Sequence, residues 1–478
     1  MKKKKTHDQS TLAQQLTFED LLNETGSESN HIKTHKQGRF EKQETSYPIQ
    51  LVRDFNHFLA YLKDHSVSLT KTRGHISRKY LPDLNESLSV KNDTATSNTE
   101  QKYYPYIHFF HTLMLQSRLF RKVPIKTGND QLQATERLAL YNNLTNVEKY
   151  LFMLETFWID VDWDELQDKR NHLVPETLQH LFYHLMQQNS DGIASPNQKQ
   201  KSLLDNQIIF RDMRNWNHFL LYFEWFGLWK CELDEEAMKL HHYKDWYLAK
   251  SITVTEFGTK MIPILLLERN LQFWNIPLRW EMGEINNAPG SRLEDTIFIL
   301  PEEIEKHFLQ QRTQSQSELF LQPFIKLFPE ESLQYSLPRQ TEKFIDGIYT
   351  FKVIFTKEVW RKVVLTGEHT MQNLHEMILQ AYEFDNDHLY SFFMDGKKWS
   401  KKCIASPHEN FGHPQSDRIR IGDLGFIIGQ SITYLYDYGD EWIFNIVLEQ
   451  IEAKGVAKLK PFVKESVGNA PVQYMEWE

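Results

Sequence analysis

Apolar residues first fall into register just after Tyr47. In "LVRDFNHFLAYLKDH", Leu51, Phe55, Phe58, Leu59 and Leu62 recur at helical spacing, which predicts a helix with one buried face. A short β-prone run, Val67–Thr70, follows, then a turn at Gly74, with Ser77 placed to N-cap a further helix. The same order returns at Ile252–Thr255 and Gly258, and both copies share a T-x-T-x(1–2)-G pattern. Strand, tight turn and helix in this order predict winged-helix-like elements. Between the copies the pattern is helical and aromatic. "LTNVEKYLFMLETFW" opens with a capping box, Thr145 and Glu148, and "ETLQHLFYHLMQQ" and "WNHFLLYFEWFGLW" are amphipathic.

The pattern changes after "SLPRQTEKFIDG". From Ile348, "IYTFKVIFT" and "VWRKVVLTG" read as a β-hairpin, and "TMQNLHEMILQAYEF" as a helix with Met371, Leu374, Met377, Ile378 and Ala381 on one face. "HLYSFFMDGKKW", "SITYLYDYG" and "DEWIFNIVLEQI" supply further strands. The fold class expected is α+β: a mostly helical N-terminal region with winged-helix-like elements, then a β-grasp-like domain whose helix packs on a mixed sheet. The boundaries follow the pattern: a polar tail over 1–46, the helical region over 47–335, a linker over 336–347 and the α+β domain over 348–478. "DGIASPNQKQKS" and the glutamine-rich "QQRTQSQSE" are read as solvent-facing stretches.

Composition narrows the function classes. Hydrophobic residues make up 40% of the 478 and aromatics 13%, enough for real cores. The net charge of −9 argues against a uniformly nucleic-acid-coating surface, though it leaves room for a local basic patch. Two cysteines, Cys231 and Cys403, exclude a disulfide framework and fit a reducing cytoplasm. "MKKKK" is followed by polar residues and not by the apolar core of a secretion signal, and "MIPILLL" is too short to span a bilayer. A cytoplasmic protein with no membrane contact is expected. There is no G-x-G-x-x-G, G-x-x-x-x-G-K-[ST], G-x-S-x-G or H-E-x-x-H, so the common nucleotide, hydrolase and zinc-protease readings lose their support, and no cofactor is expected.

Four segments of the C-terminal region, "IYTFKVIFTKEVWRKV", "LHEMILQAYEFDNDHLYSFFMD", "YLYDYGDEWIFNIVLE" and "GNAPVQY", occur in an order that resembles the plasmid pRiA4b ORF-3-like domain. The resemblance covers about Ile348 to Tyr474. It implies an α+β fold and an association with mobile elements, without implying a reaction. The preceding region is similar to the helical extension of some family members. The cysteine-rich zinc motif of other members is not present.

Candidate chemistry concentrates in the same domain. Asp437, Asp440 and Glu441 could form a carboxylate cluster completed by His375 and His388, a donor mixture that suits a divalent metal. Alternatively Tyr438, Gly439 and Asp440 form a hairpin turn using positive φ, with Tyr434, Tyr436, Trp442 and Phe444 packed across the strands. Asp437 would then accept backbone N–H bonds, or pair with Arg361 or Lys362. No metal-ligand spacing is present, so no metal site is expected here. "FDNDHLY" places Asp385 and Asp387 beside His388, either as an acid–imidazole pair or as a helix-closing Asx segment. Asp160, Asp162 and Asp164 alternate as in a calcium loop, but Glu165 and Asn171 stand where glycine and a bidentate glutamate are needed. His180 and His184, like His108 and His111, share helical faces without a metalloprotease glutamate. Cys403, near His408 and His413, lacks the setting of a nucleophile.

"KTRGHISRK" gathers Lys71, Arg73, His75, Arg78 and Lys79 at the first expected wing, where cations could meet phosphates. Three functions follow. The first is a non-enzymatic module binding another protein, with Tyr436, Tyr438 and Trp442 as contact or structural residues. The second is a DNA-binding protein using Lys71, Arg73, Arg78 and Lys79. The third is a metal-dependent enzyme with His388, Asp437 and Asp440 as catalytic candidates.

Overall fold

The computed structural model describes residues 14–15, 47–125, 129–167, 173–187, 193–194, 216–240, 247–284, 289–291, 319–330, 332–339, 344–409, 412–453 and 459–474. The expected polar tail, the loop at 191–202 and the glutamine-rich stretch lie outside these residues, apart from Gln14–Gln15 and Ile193–Ala194. The chain is α+β and divides into two units: Met1–Ile276 with Pro289–Pro338, and Pro277–Ala288 with Arg339–Glu478.

The first unit begins with helix α1 (Ile49–Asp64), which buries the five apolar residues its spacing marked. Asp54 is buried on the same face, a charge that water can no longer stabilise. It is satisfied by the Tyr106 hydroxyl at 2.9 Å, the Gln50 amide at 3.1 Å and the Ser89 N–H at 3.2 Å. Helices α2 (Leu81–Ser87) and α3 (Pro105–Gln116) follow, then an antiparallel hairpin of β1 (Phe120–Pro124) and β2 (Asp130–Ala134). The expected strand at Val67–Thr70 amounts to two isolated bridges, Ser68 to Gln131 and Leu69 to Ile76. Ser77 precedes a 3-10 turn but does not cap it, because its hydroxyl donates to the Ser68 carbonyl instead.

After α4 (Glu136–Asn143) and α5 (Asn146–Glu155), the order of elements repeats. Helix α6 (Leu173–Gln187) leads to a short strand, Ile193–Ala194, then α7 (Phe219–Trp225) and a hairpin of β3 (Trp229–Leu233) and β4 (Ala249–Val254). In both halves the early strand segment pairs with the second strand of the later hairpin. The helices before the two hairpins face each other: Phe109 stacks on Tyr222 at 4.8 Å and Tyr106 meets Trp225 edge-on at 4.6 Å. Helix α3 buries nine of its twelve residues.

The capping box expected at Thr145 and Glu148 is present, and Glu148 also accepts the Gln334 and Tyr335 N–H groups. The turn expected at Gly258 is not. Gly258 lies inside α8 (Glu256–Pro263), where Thr255 caps its N–H at 2.8 Å. Glycine is needed there for proximity, since a Cβ would stand 1.8 Å from the Leu228 carbonyl oxygen.

The second unit is built on one sheet and one helix. Strands β5 (Gly347–Ile354) and β6 (Trp360–Thr366) form the expected opening hairpin. Helix α9 (Met371–Tyr382) starts at a Thr370–Asn373 capping box and ends at Glu383 in the left-handed region, φ 59°. Then come β7 (Tyr390–Phe393), β8 (Cys403–Ala405), β9 (Ser431–Tyr436), β10 (Trp442–Ala453) and β11 (Phe462–Val467). Their order in the sheet is β8-β7-β9-β10-β5-β6-β11. Every pair is antiparallel, where the sequence reading expected a mixed sheet. The helical crossover from β6 to β7 lands two strands beyond β10, so it never sets parallel neighbours side by side.

One sheet face carries Tyr349, Phe351, Val353, Tyr434, Tyr436, Phe444, Ile446 and Leu448 against Leu374, Ile378 and Tyr382 of α9. Arg361 is buried at the end of that helix. Its guanidinium donates to the carbonyls of Ala381 (2.9 Å) and Val467 (2.8 Å) and lies 4.7 Å over the Tyr382 ring. A cation at a helix C-terminus is stabilised by the exposed carbonyls and their dipole. The two sheet edges differ. Ala405 of β8 gives its N–H to the Pro414 carbonyl, whereas β11 is exposed, follows Pro461 and carries a bulge between Val463 and Glu465.

Candidate functional site

Three segments distant in sequence meet at one end of the C-terminal sheet. They are the loop 385–388 after α9, the turn between β9 and β10, and the terminal stretch Gln473–Tyr474. His388 Nε2 stands 3.4 Å from Asp437 Oδ2, 3.1 Å from the Tyr474 hydroxyl and 3.7 Å from Asp387 Oδ1. The Tyr474 hydroxyl donates to Asp387 Oδ2 at 2.6 Å, so its oxygen accepts from the His388 Nε2–H. That fixes the imidazole by one nitrogen. The Tyr474 hydroxyl holds the Asp387 carboxyl below its ordinary range, and the carboxylate pushes the Tyr474 phenol up. The Tyr436 hydroxyl also bonds Asp387, and Gln473 accepts the Asp385 N–H at 2.6 Å.

The hairpin answers the acid-cluster question locally. Tyr434 opposes Phe444 and Tyr436 opposes Trp442, as the packing alternative requires. The left-handed residues are Asp437 (φ 56°) and Glu441 (φ 54°), not Gly439 or Asp440 as the sequence suggested. Asp437 adopts this conformation because its side chain closes an Asx turn, accepting the Gly439 N–H at 2.8 Å while its carbonyl accepts from Glu441 N–H. Asp437 pairs with neither Arg361 nor Lys362; the latter reaches Glu449 and Glu465. Asp440 has no hydrogen bond or ion pair to His388 or Asp437, and Glu441 is engaged by Lys398 at 2.8 Å. Among the described residues, no group of three or more His, Cys, Asp or Glu side chains is arranged to hold a metal ion.

Behind this cluster His375 is buried, stacked 3.6 Å from the Tyr390 ring. Its Nε2–H donates to Asn386 at 3.0 Å and its Nδ1 accepts from Tyr434 at 2.7 Å, while burial depresses its pKa to about 4. It is a neutral positioning residue for the 385–388 loop. Cys403 is also buried, and desolvation pushes its thiol up to about 12, far from a nucleophile's range.

The contact candidates divide. Tyr436 is wholly in the core, Trp442 packs on Phe384 at 4.9 Å, and Tyr438 is half-buried with its hydroxyl on Ser391. Edge-on to Tyr438, at 5.4 Å, is Trp399, which the sequence did not single out. Trp399 is 45% exposed and held in the left-handed region at φ 63°. Ile443, 41% exposed, pairs with Leu435 on the same hairpin.

In the first unit, Lys71 and Arg73 are exposed on a turn closed by Gly74 (φ 65°). Arg78 is paired with Glu100 at 2.6 Å and Lys79 lies over the Tyr80 ring at 4.6 Å. Lys122 of β1 reaches across to Gly74, a neighbour the linear sequence concealed. Asp162 caps a short helix through Asp164 and Glu165 N–H, which accounts for that acidic run. No helix among the described residues is long and apolar enough to cross a membrane.

The C-terminal unit is thus an antiparallel α+β domain with a self-paired histidine–carboxylate–tyrosine cluster at one end. Residues 348–475 match the family described as Plasmid pRiA4b ORF-3-like protein, and the C-terminal region of the chain is a domain of that kind. An uncharacterized protein, y4hQ, of Sinorhizobium fredii is 30% identical over 116 residues, covering 24% of this chain and 57% of that protein. The chain therefore matches less than two thirds of that relative's length. A crystal structure of a protein of unknown function from Methanosarcina mazei Go1 aligns at 21% identity with a TM-score of 0.23, covering 27% of this chain and 72% of the other.

Proposed function

We propose that the protein is a non-enzymatic binding module whose C-terminal domain engages another protein through the outer side of the β9–β10 hairpin. The supporting observation is Trp399: an exposed indole on a left-handed backbone, braced by Tyr438 and adjoining the outward hairpin face that carries Ile443. Tryptophan and tyrosine are the residues most often found as interface anchors, and a strained conformation is retained where function needs it. The acid–imidazole cluster favours the same reading, because Asp387 and the Tyr474 hydroxyl are already committed to one another and His388 Nε2 to that hydroxyl. The test compares proteins co-purifying with wild-type and Trp399→Ala chains by quantitative mass spectrometry. A partner depleted at least tenfold with the variant supports the reading, and identical sets sink it.

A second reading keeps nucleic acid as partner through Lys71, Arg73 and Lys122, which share one surface. The order of helix, strand segment, helix and hairpin is similar to that of winged-helix modules, in which the helix before the hairpin would enter the major groove. Here that helix is buried against Tyr222 and Trp225, so contact would be with phosphates alone. Binding should then weaken steeply with salt and lose about 0.9 of logarithmic slope for each phosphate contact removed, as by Arg73→Ala. Absence of retardation at low salt eliminates it.

A further inference from the structure

Beneath the basic turn lies a buried group that neither reading uses. His108 and His111 are one turn apart on α3, and both face the loop that carries His75. The His75 ring meets His108 edge-on at 5.2 Å and His111 at 6.3 Å. A chain of bonds fixes His108: the Ile76 N–H donates to Gln101 Oε1, the Gln101 side-chain amide donates to His108 Nδ1 at 2.9 Å, and Nε2–H donates to the Leu166 carbonyl at 3.1 Å. His108 is therefore neutral, with both nitrogens in use.

His111 differs. It is 4% exposed, and its Nε2 is buried without a hydrogen-bond partner. The titratable and charged groups facing it are His108 from its own helix, His75 from the loop and Lys122 from β1, none of them a carboxylate that would stabilise an imidazolium. Burial, followed by these neighbours, keeps its pKa well below the ordinary value. The covering turn, Thr70–His75, is closed by bonds within itself. Thr70 N–H bonds the His75 carbonyl at 2.7 Å and Gly74 N–H bonds the Thr70 carbonyl at 2.9 Å, while the flanking segment is held by the Leu69–Ile76 and Ser68–Gln131 bridges and by Ser77 N–H on the Ser68 carbonyl at 3.0 Å.

We propose that His75, His108 and His111 form a proton-triggered latch, in which neutral His111 keeps the Thr70–His75 turn closed and its protonation releases that turn into solvent. Swinging the turn outward moves His75 away and hydrates His111, while α3 stays anchored through Phe109 and Tyr106. Opening also carries Lys71 and Arg73 away from Lys122 of the hairpin, so acidification changes how this cationic surface is presented.

Hydrogen-exchange mass spectrometry on the full chain, at pH 7.5 and 5.5 with rates corrected for intrinsic exchange, tests this. A histidine with an ordinary pKa of 6.5 when open gives about tenfold faster exchange of residues 70–76 at pH 5.5. His111→Phe, which fills the site but takes no proton, abolishes the gain. Unchanged protection of the wild-type turn at pH 5.5 overturns the proposal, as does a gain in His111→Phe equal to the wild type's.

Discussion

Burial of His375 makes the C-terminal domain acid-sensitive by an amount that can be worked out. The group titrates near 6.5 when unfolded and at about 4 when folded. Its folded pKa is depressed, so the unfolded state binds the extra proton first as pH falls through 6.5, and stability drops from there until the folded pKa is passed. The loss is ~1.4 kcal/mol per pH unit, about 2 kcal/mol at pH 5 and roughly 3.4 kcal/mol below pH 4. His375→Phe removes the titration but leaves the Tyr434 hydroxyl and Asn386 unpartnered, so it is less stable at pH 7.5 by about 1–3 kcal/mol. The gap between wild type and variant should therefore close by about 2 kcal/mol on going from pH 7.5 to 5. Because the chain has two units, a whole-chain melt is not a clean reporter. Urea-dependent hydrogen exchange of peptides from β9 and β10 reads the domain directly. A gap of the same size at both pH values would refute the reasoning.

Gly258→Ala places a methyl group against the Leu228 carbonyl and should cost about 3 kcal/mol, measured by urea denaturation of the first unit. Asp437→Asn keeps the Asx turn and the left-handed backbone, so its stability in the same exchange assay should stay close to wild type. Asp437→Ala loses both and should cost about 1–2 kcal/mol; equal effects of the two would mean the charge facing His388 matters more than the turn. Arg361→Met removes the donors that satisfy the Ala381 and Val467 carbonyls, with an expected loss of about 3 kcal/mol in the same exchange assay.

Periodicity located the elements whose burial is one-sided. Helix α1, the opening hairpin and α9 were legible because one face of each meets a core and the other meets water. The Thr145 capping box was legible because both of its partners lie within three residues. The wings were misplaced for a physical reason: Thr70 and Thr255 look alike in sequence, but one closes a turn while the other caps a helix. What selects between them is distant, namely the Leu228 backbone pressed against Gly258. Within the site, Asp387, His388 and Asp437 were named from local composition. Tyr474 and Gln473 were visible only as the end of a family motif, and Trp399 not at all, since neither its exposure nor its left-handed backbone leaves a mark in the surrounding residues. Lys122 joined the basic turn only through tertiary contact.

The treatment of the sheet's two margins limits how a partner can approach. A widespread mode of protein recognition is strand addition, in which an extended peptide extends a sheet through backbone bonds. At one margin the Ala405 N–H is already committed to Pro414, and at the other Pro461 and the bulge after Val463 break the regular run of outward amides. The domain is thus a poor template for backbone zippering, with its own copies or with a foreign strand. A partner meeting this sheet at its margins would then be recognised through side chains, and discrimination would rest on shape and chemistry at a few positions, not on a generic affinity for extended chain.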